Sequence, residues 1–156
     1  MIDGYLVSAH VISWAADECE RQRSGERSVA WMVNGWYFAT TPRFTISREN
    51  LLLLAGLVEP RENGGKSFRR VNVTVGGSVP MAHTLVDRAM ENLIAAVGDL
   101  DPDAWYREYE EIHPLADGNG RTGSILWNWL RGTLDNPEVP PDFWTPRPVT
   151  RVRPIL

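Results

Sequence analysis

His113-Pro114-Leu115-Ala116-Asp117-Gly118-Asn119-Gly120-Arg121 is the stretch on which the reading of this chain turns. Ahead of it Trp105, Tyr106, Tyr109 and Ile112 recur at helical spacing, and behind it Ile125, Leu126, Trp129 and Leu130 do the same. The stretch is therefore a loop between two helices, with Arg121 in the first turn of the second. Glycines on both sides of Asn119 let successive backbone N–H groups turn inward as a nest at a helix N-terminus, which holds phosphate oxygens without net positive charge. Arg121 offers a planar, permanently charged clamp for the same phosphates. Asp117 is a hard oxygen ligand suited to Mg²⁺ on a polyphosphate. His113, with an ordinary pKa near about 6.5, accepts a proton at neutral pH. An ordinary glycine-rich turn has no need of these residue types at these offsets. Base, metal ligand, anion nest and arginine together suit phosphate transfer.

Working outward, residues 5–22 carry Leu6, Val7, Val11, Ile12, Trp14, Ala15 and Cys19 at helical spacing, up to a charged stop over Arg21 to Gly25. Val29, Met32, Val33 and Trp36 predict a second helix from Ser28 to Tyr37, ended by Thr40-Thr41-Pro42. Thr45 or Ser47 can cap a third through Leu51 to Val58, which Pro60 should terminate. The period then changes. Val71, Val73 and Val75 alternate with Asn72 and Thr74, Gly76-Gly77 supplies a turn, and Val79 and Met81 resume the alternation, which predicts a β-hairpin. Helix returns from His83 to Val97. Asp101-Pro102-Asp103 then combines a cap, a first-position proline and an acid in the first turn of the helix leading into His113. Gly132 closes the helix after the loop. Residues 1–135 read as one mostly α domain, its N-terminal helices spanning residues 1–44 and its core residues 45–135; residues 136–156, rich in proline, read as an extended tail against the surface.

The loop resembles the signature of the Fic/Doc (Fido) family, H-P-F-x-[D/E]-G-N-G-R-x-x-R. Phe68-Arg69-Arg70, the Val71–Met81 hairpin, the next helix and the helix into His113 follow in the family's usual order, so the resemblance covers about residues 45–135. It implies an all-α helical bundle with one β-hairpin flap over the active site. It also implies transfer of AMP from ATP to a protein Ser, Thr or Tyr hydroxyl. On that resemblance His113 would be the general base, Asp117 would hold Mg²⁺, and Gly118, Asn119 and Gly120 would form the anion hole. Arg121 would contact the nucleotide phosphates. The flap residues Val71, Asn72, Val73, Thr74 and Val75 would pair with the target's backbone. The implied partners are thus ATP, with Mg²⁺, and a protein target. A toxin held by an antitoxin, or another regulatory partner, is also compatible.

Two positions depart from the pattern. Leu115 replaces the usual Phe, apolar for apolar. Ser124 stands where the second arginine would grip the distal phosphates; its hydroxyl can donate to a phosphate but brings no charge. Thr45-Ile46-Ser47-Arg48-Glu49-Asn50 matches the family's inhibitory pattern, [S/T]-x-x-x-E-[G/N], yet Glu49 lacks the arginine it would pair with, and a helix cap with an acid in the first turn is the simpler reading. The alternatives are a Doc-like phosphotransferase, a transferase using another nucleotide donor, and a degenerate domain that only binds a partner protein. Intact Gly118-Asn119-Gly120 argues against the first; Ser124 is the feature that favours the last.

Composition bounds the rest. The 156 residues carry 16 basic and 20 acidic side chains, a net charge of -4, and Lys66 is the sole lysine. That balance argues against broad nucleic-acid binding, so phosphate chemistry must be arranged locally. Lone Cys19 permits no internal disulfide and suits a reducing compartment. The longest apolar run, Leu51 to Leu57, is far short of the roughly 20 residues of a membrane span, and the N-terminus has no signal-peptide pattern. A cytoplasmic protein with no membrane or nucleic-acid partner is the expectation. Asp117-Gly118-Asn119-Gly120 fails as a calcium loop because Arg121 falls on a ligand position, and no His or Cys pair has zinc spacing. Gly65-Lys66-Ser67 lacks the first glycine of a P-loop.

Overall fold

Local signals set the helix boundaries. The computed structural model of the protein describes residues 7–75, 77–142 and, for the backbone alone, 151–155. Helices α1 (Ala9–Arg21), α2 (Arg27–Thr40), α3 (Arg48–Val58), α4 (Pro60–Asn63), α5 (His83–Ala95), α6 (Pro102–Ile112) and α7 (Asn119–Arg131) account for most of it, with two short strands, β1 (Asn72–Val75) and β2 (Arg151–Ile155). Ser47 rather than Thr45 caps α3, its hydroxyl accepting from the Asn50 amide. Asp101 accepts from the Ala104 amide and Pro102 opens α6 as expected. Gly132, at φ 70°, ends α7. Pro60 does end α3, but it also starts α4, because a proline needs no amide partner at a first helical position. The second helix runs on past Tyr37 to Thr40. Leu6, placed in the first helix by its spacing, and Gly76, placed in the turn, lie outside the described residues.

The core is the apolar faces of these helices. α2 packs on α1, α3 and α7, and α6 contacts both α5 and α7. Met32, Leu51, Leu54, Met90, Ile125 and Leu126 are wholly enclosed. Trp105 is also enclosed; it stacks on Tyr109 at 5.8 Å, and its indole N–H donates to the Leu93 carbonyl at 2.9 Å. That bond lets a polar aromatic sit in the core without a stranded donor. Two more indoles fasten the segment after α7: Trp36 donates to Leu134 O at 2.7 Å and Trp14 to Glu138 O at 3.1 Å. Asn128 meets Glu138 twice, donating to its carbonyl and accepting from its amide, both at 2.9 Å. The tail thus begins by lying against α1 and α7. Among the described residues no helix is long and apolar enough to cross a membrane.

The architecture is the expected all-α bundle with a small β flap, but the flap is built differently. The predicted hairpin has only one arm. Val75 and Ser78 exchange two 2.8 Å backbone bonds around the turn, and there the ladder stops. Pro80 has no amide to donate, and the Met81 carbonyl is taken by the Arg69 guanidinium. β1 pairs instead with β2, antiparallel, with Asn72 opposite Ile155, Thr74 opposite Val152 and Val75 opposite Arg151. Because Val75 meets Ser78 as well as Arg151, β2 lies on the edge that the return arm leaves open.

Replacing Trp105 by Ala should cost about 3–5 kcal/mol, while Trp105→Phe, which loses the Leu93 bond but keeps a ring in the core, should cost markedly less. Urea unfolding of the two variants checks this ordering.

Candidate active site

The loop is held from within. α6 ends at His113, which adopts a left-handed conformation (φ 50°, ψ 64°) with its amide bonded to Tyr109 O. Such a conformation is uncommon outside glycine and persists where neighbours over-determine it. Asn119 supplies one set of constraints: its side chain accepts from the Leu115 amide and donates to the Leu115 carbonyl, both at 2.8 Å. This two-way bond closes the loop on itself. Leu115 is fully buried, as an apolar anchor should be. Gly118, at φ 75°, is the cap position of α7, and the Asp117 carboxylate accepts from its amide at 2.7 Å. A side chain there would carry left-handed strain and press on Glu59.

No side chain caps α7. The amides of Asn119, Gly120 and Arg121 are therefore first-turn donors without an intrahelical partner, at the positive end of the helix dipole. These are the amides from which the nest expected from the glycine spacing would be made. Its wall has no counterpart in the motif. A Cβ on Gly120 would fall within 2.6 Å of the Gln22 side-chain amide, so the end of α1 lies directly on the loop. Glu18, fully buried, accepts from Gln22 at 2.8 Å and from Arg21 at 2.8 Å. Burial raises the Glu18 pKa despite Arg21 beside it.

The arginine of the motif points inward. Arg121 is 1% exposed; it donates to the Val58 carbonyl at 3.1 Å and pairs with the buried Glu59 at 3.2 Å, with Asp117 at 3.8 Å. Burial works to raise the Glu59 pKa, but hydrogen bonds from Arg61 and Arg121 outweigh it and hold the carboxyl ionised below its usual range. Asn63 on α4 donates to the Asp117 carbonyl at 2.9 Å. Arg61, largely exposed on the same short helix, pairs with Glu59 and stacks over Trp31. Ser124 is also wholly buried, and its hydroxyl finds no hydrogen-bond partner among the described residues. Glu49 stands in the first turn of α3, about 14 Å along that helix from Val58 and the loop. It lines a surface groove with Leu52, Leu53 and Lys66.

A profile of the Fic/DOC family matches residues 46–130, from the cap of α3 through the flap to the last turn of α7. The chain belongs to the Fic/DOC family. No relative among curated proteins matches it. In this Fic/DOC domain His113 and Asp117 lie on the loop that runs into the uncapped N-terminus of α7, and the flap is tied to the same loop through Arg69. That residue is 4% exposed, and its guanidinium donates to the carbonyls of His113 (2.7 Å), Val71 (2.9 Å), Ile112 (3.1 Å) and Met81. It is thus spoken for, and does not stand in for the missing second arginine. Glu18, Gln22, Glu59 and Asn63 left no trace in the linear pattern; only Arg69, inside the Phe68-Arg69-Arg70 run, carried a signal.

The His113 imidazole is shifted by burial first and by the Arg69 charge second, with the Glu110 backbone opposing, so that its pKa falls to about 4. It is uncharged throughout the neutral range. Nδ1 is buried, whereas the residue as a whole is only half-buried. No group of three or more His, Cys, Asp or Glu that could hold a metal occurs among the described residues. One partly exposed carboxylate, Asp117, fits Mg²⁺, which keeps several waters and shares phosphate oxygens, better than an ion that needs an all-protein cage.

NMR titration of the His113 ring should show a midpoint near 4. The unfolded chain takes up that proton from about pH 6.5 downward and the native chain only near 4. This residue's contribution to stability should therefore be lost as pH falls through that window, seen as a falling urea midpoint. Separately, Glu59→Ala should cost about 3–5 kcal/mol by leaving the Arg121 charge buried and uncompensated, again measured by urea unfolding.

Proposed function

We propose that this Fic/DOC domain transfers AMP from ATP to a Ser, Thr or Tyr hydroxyl of a target protein. The observation that carries the reading is the conjunction on one loop of an uncharged, half-buried His113 with the uncapped N-terminus of α7. A base held neutral accepts a proton at any pH above about 4. An uncapped nest accepts phosphate oxygens.

In this mechanism Nε2 of His113 takes the hydroxyl proton as the hydroxyl oxygen bonds to the α-phosphorus. The bond from that phosphorus to the bridging oxygen breaks, and pyrophosphate leaves. The phosphates of bound ATP raise the imidazole's proton affinity, so the base strengthens when substrate is in place. The amides of Asn119, Gly120 and Arg121 orient the phosphates and meet the charge that develops on them. Asp117 would hold Mg²⁺, which supplies neutralisation of the polyphosphate. With Arg121 and Ser124 both enclosed, the contacts open to the distal phosphates are backbone amides and the exposed Arg61, rather than a second motif arginine. The target segment pairs with β1 by strand addition, displacing β2 from the edge it holds.

A second reading has a specific basis. Ser124 is buried and uncharged, and Gln22 lies against Gly120, both of which suit a domain that binds a protein partner without turnover. One experiment decides. The protein and His113→Ala are incubated with cell lysate and ATP labelled at the α- or the γ-phosphate. Protein-bound label from the α position only, lost by at least about 100-fold in the variant, is the expected result. Label from γ alone means phosphotransfer instead, and no label from any nucleotide leaves the binding module.

A further inference from the structure

Arg69 is an expensive residue where it stands. Its guanidinium is enclosed, burial lowers its pKa, and among the described residues it takes part in no ion pair. A buried charge without a counter-ion costs several kcal/mol in general, so the fold retains it for what its hydrogen bonds hold. Those bonds join two separate pieces of backbone. Val71 and Met81 are the two roots of the flap, on either side of β1; Ile112 and His113 are the end of α6 and the start of the motif loop. The Arg69 amide adds a fifth tie, to Pro114 O at 2.8 Å. Only a planar fork with five N–H donors can meet carbonyls on two sides at once. A lysine ammonium in the same place is a point charge with three donors.

We infer that Arg69 is the positioning residue of this site, fastening the His113 backbone and both roots of the flap into one unit, so that a chain docked on β1 and the imidazole keep a fixed separation. The left-handed His113 is the mark of this constraint. Its carbonyl is held by Arg69 Nε, its amide by Tyr109, and between them the strained φ of 50° is fixed. Arg69 acts on the ring as well as on the backbone. Of the groups around the imidazole, Arg69 bears on it with its charge from the flap side, and Glu110 on α6 meets it through its backbone. Asp117 and Arg121, across the loop, are engaged with Gly118 and with Glu59. The role of His113 as base and of β1 as docking strand is taken from the proposed function, but the linkage itself is read without turnover.

The test uses full-length Arg69→Lys and Arg69→Gln, with amide hydrogen exchange and the His113 titration as readouts. Both variants should exchange the β1 amides of Asn72 to Val75 at least about tenfold faster than wild type, while Met32 and Leu51 in the core keep wild-type protection. Lysine retains the charge, so its His113 midpoint should stay near 4; glutamine removes it, so its midpoint should rise some of the way toward 6.5. Guanidinium ion at millimolar concentration should slow β1 exchange in the Gln variant again. Unchanged β1 exchange in Arg69→Lys overturns the inference. So does acceleration that is equal at β1 and at Met32, because that reports global loosening. If Arg69→Gln does not fold, the lysine variant decides alone by the same two criteria. An absence of AMP transfer with these results intact would count against the proposed reaction and not against the linkage.

Discussion

The contact on which the loop depends is the enclosed pair of Arg121 and Glu59. A six-residue connection between two helices, His113 to Gly118, has backbone groups to satisfy and no regular ladder to do it. Here the second helix begins with a guanidinium driven into the bundle, where it meets a carboxylate and a carbonyl at the end of α3. Two charges so deeply buried gain little net stability over a well-packed apolar pair, because desolvation offsets most of their attraction. What they supply is register. With Arg121 fixed, α7 has one starting point, and Asn119 folds back onto Leu115 from there. The amides of the first turn are then left without a side-chain cap.

Around that anchor the site is assembled from three directions. α4, only Pro60 to Asn63, brings Glu59 and Asn63 to Arg121 and the Asp117 carbonyl. α1 brings Glu18 and Gln22 to the face of Gly120. The segment before β1 brings Arg69 beneath His113. In an acidic chain this matters electrostatically. The positive groups there are the α7 helix dipole and the guanidinium groups of Arg121, Arg69 and Arg61, and Arg121 and Arg61 are both paired with Glu59.

Much of the fold was legible because its signals are local. Asp101-Pro102-Asp103, Ser47 and Gly132 act within a few residues of themselves, and the structure starts or ends helices at each. The flap was half legible. Alternation at Val71, Val73 and Val75 marks a strand, but a strand does not say which backbone it will pair with. Pro80 and the claim of Arg69 on Met81 stop the near pairing at Ser78, and β2, more than seventy residues on, pairs along the other edge. Arg121 shows the same limit in the site. Its position in the motif is evident, whereas its direction follows from Val58 and Glu59, some sixty residues earlier.

The sequence by itself determined which chemistry this protein carries on its loop: an imidazole, a carboxylate and a glycine nest at a helix start. These follow from residue type and short-range spacing, which act through local backbone geometry. Only the tertiary structure decided the state of those groups. Burial and Arg69 make His113 an uncharged imidazole with its Nδ1 enclosed. Glu59 turns Arg121 away from the surface, and the packing of α7 encloses Ser124. Desolvation and ion pairing depend on what the chain brings close from far along its length, and no local pattern encodes that distance.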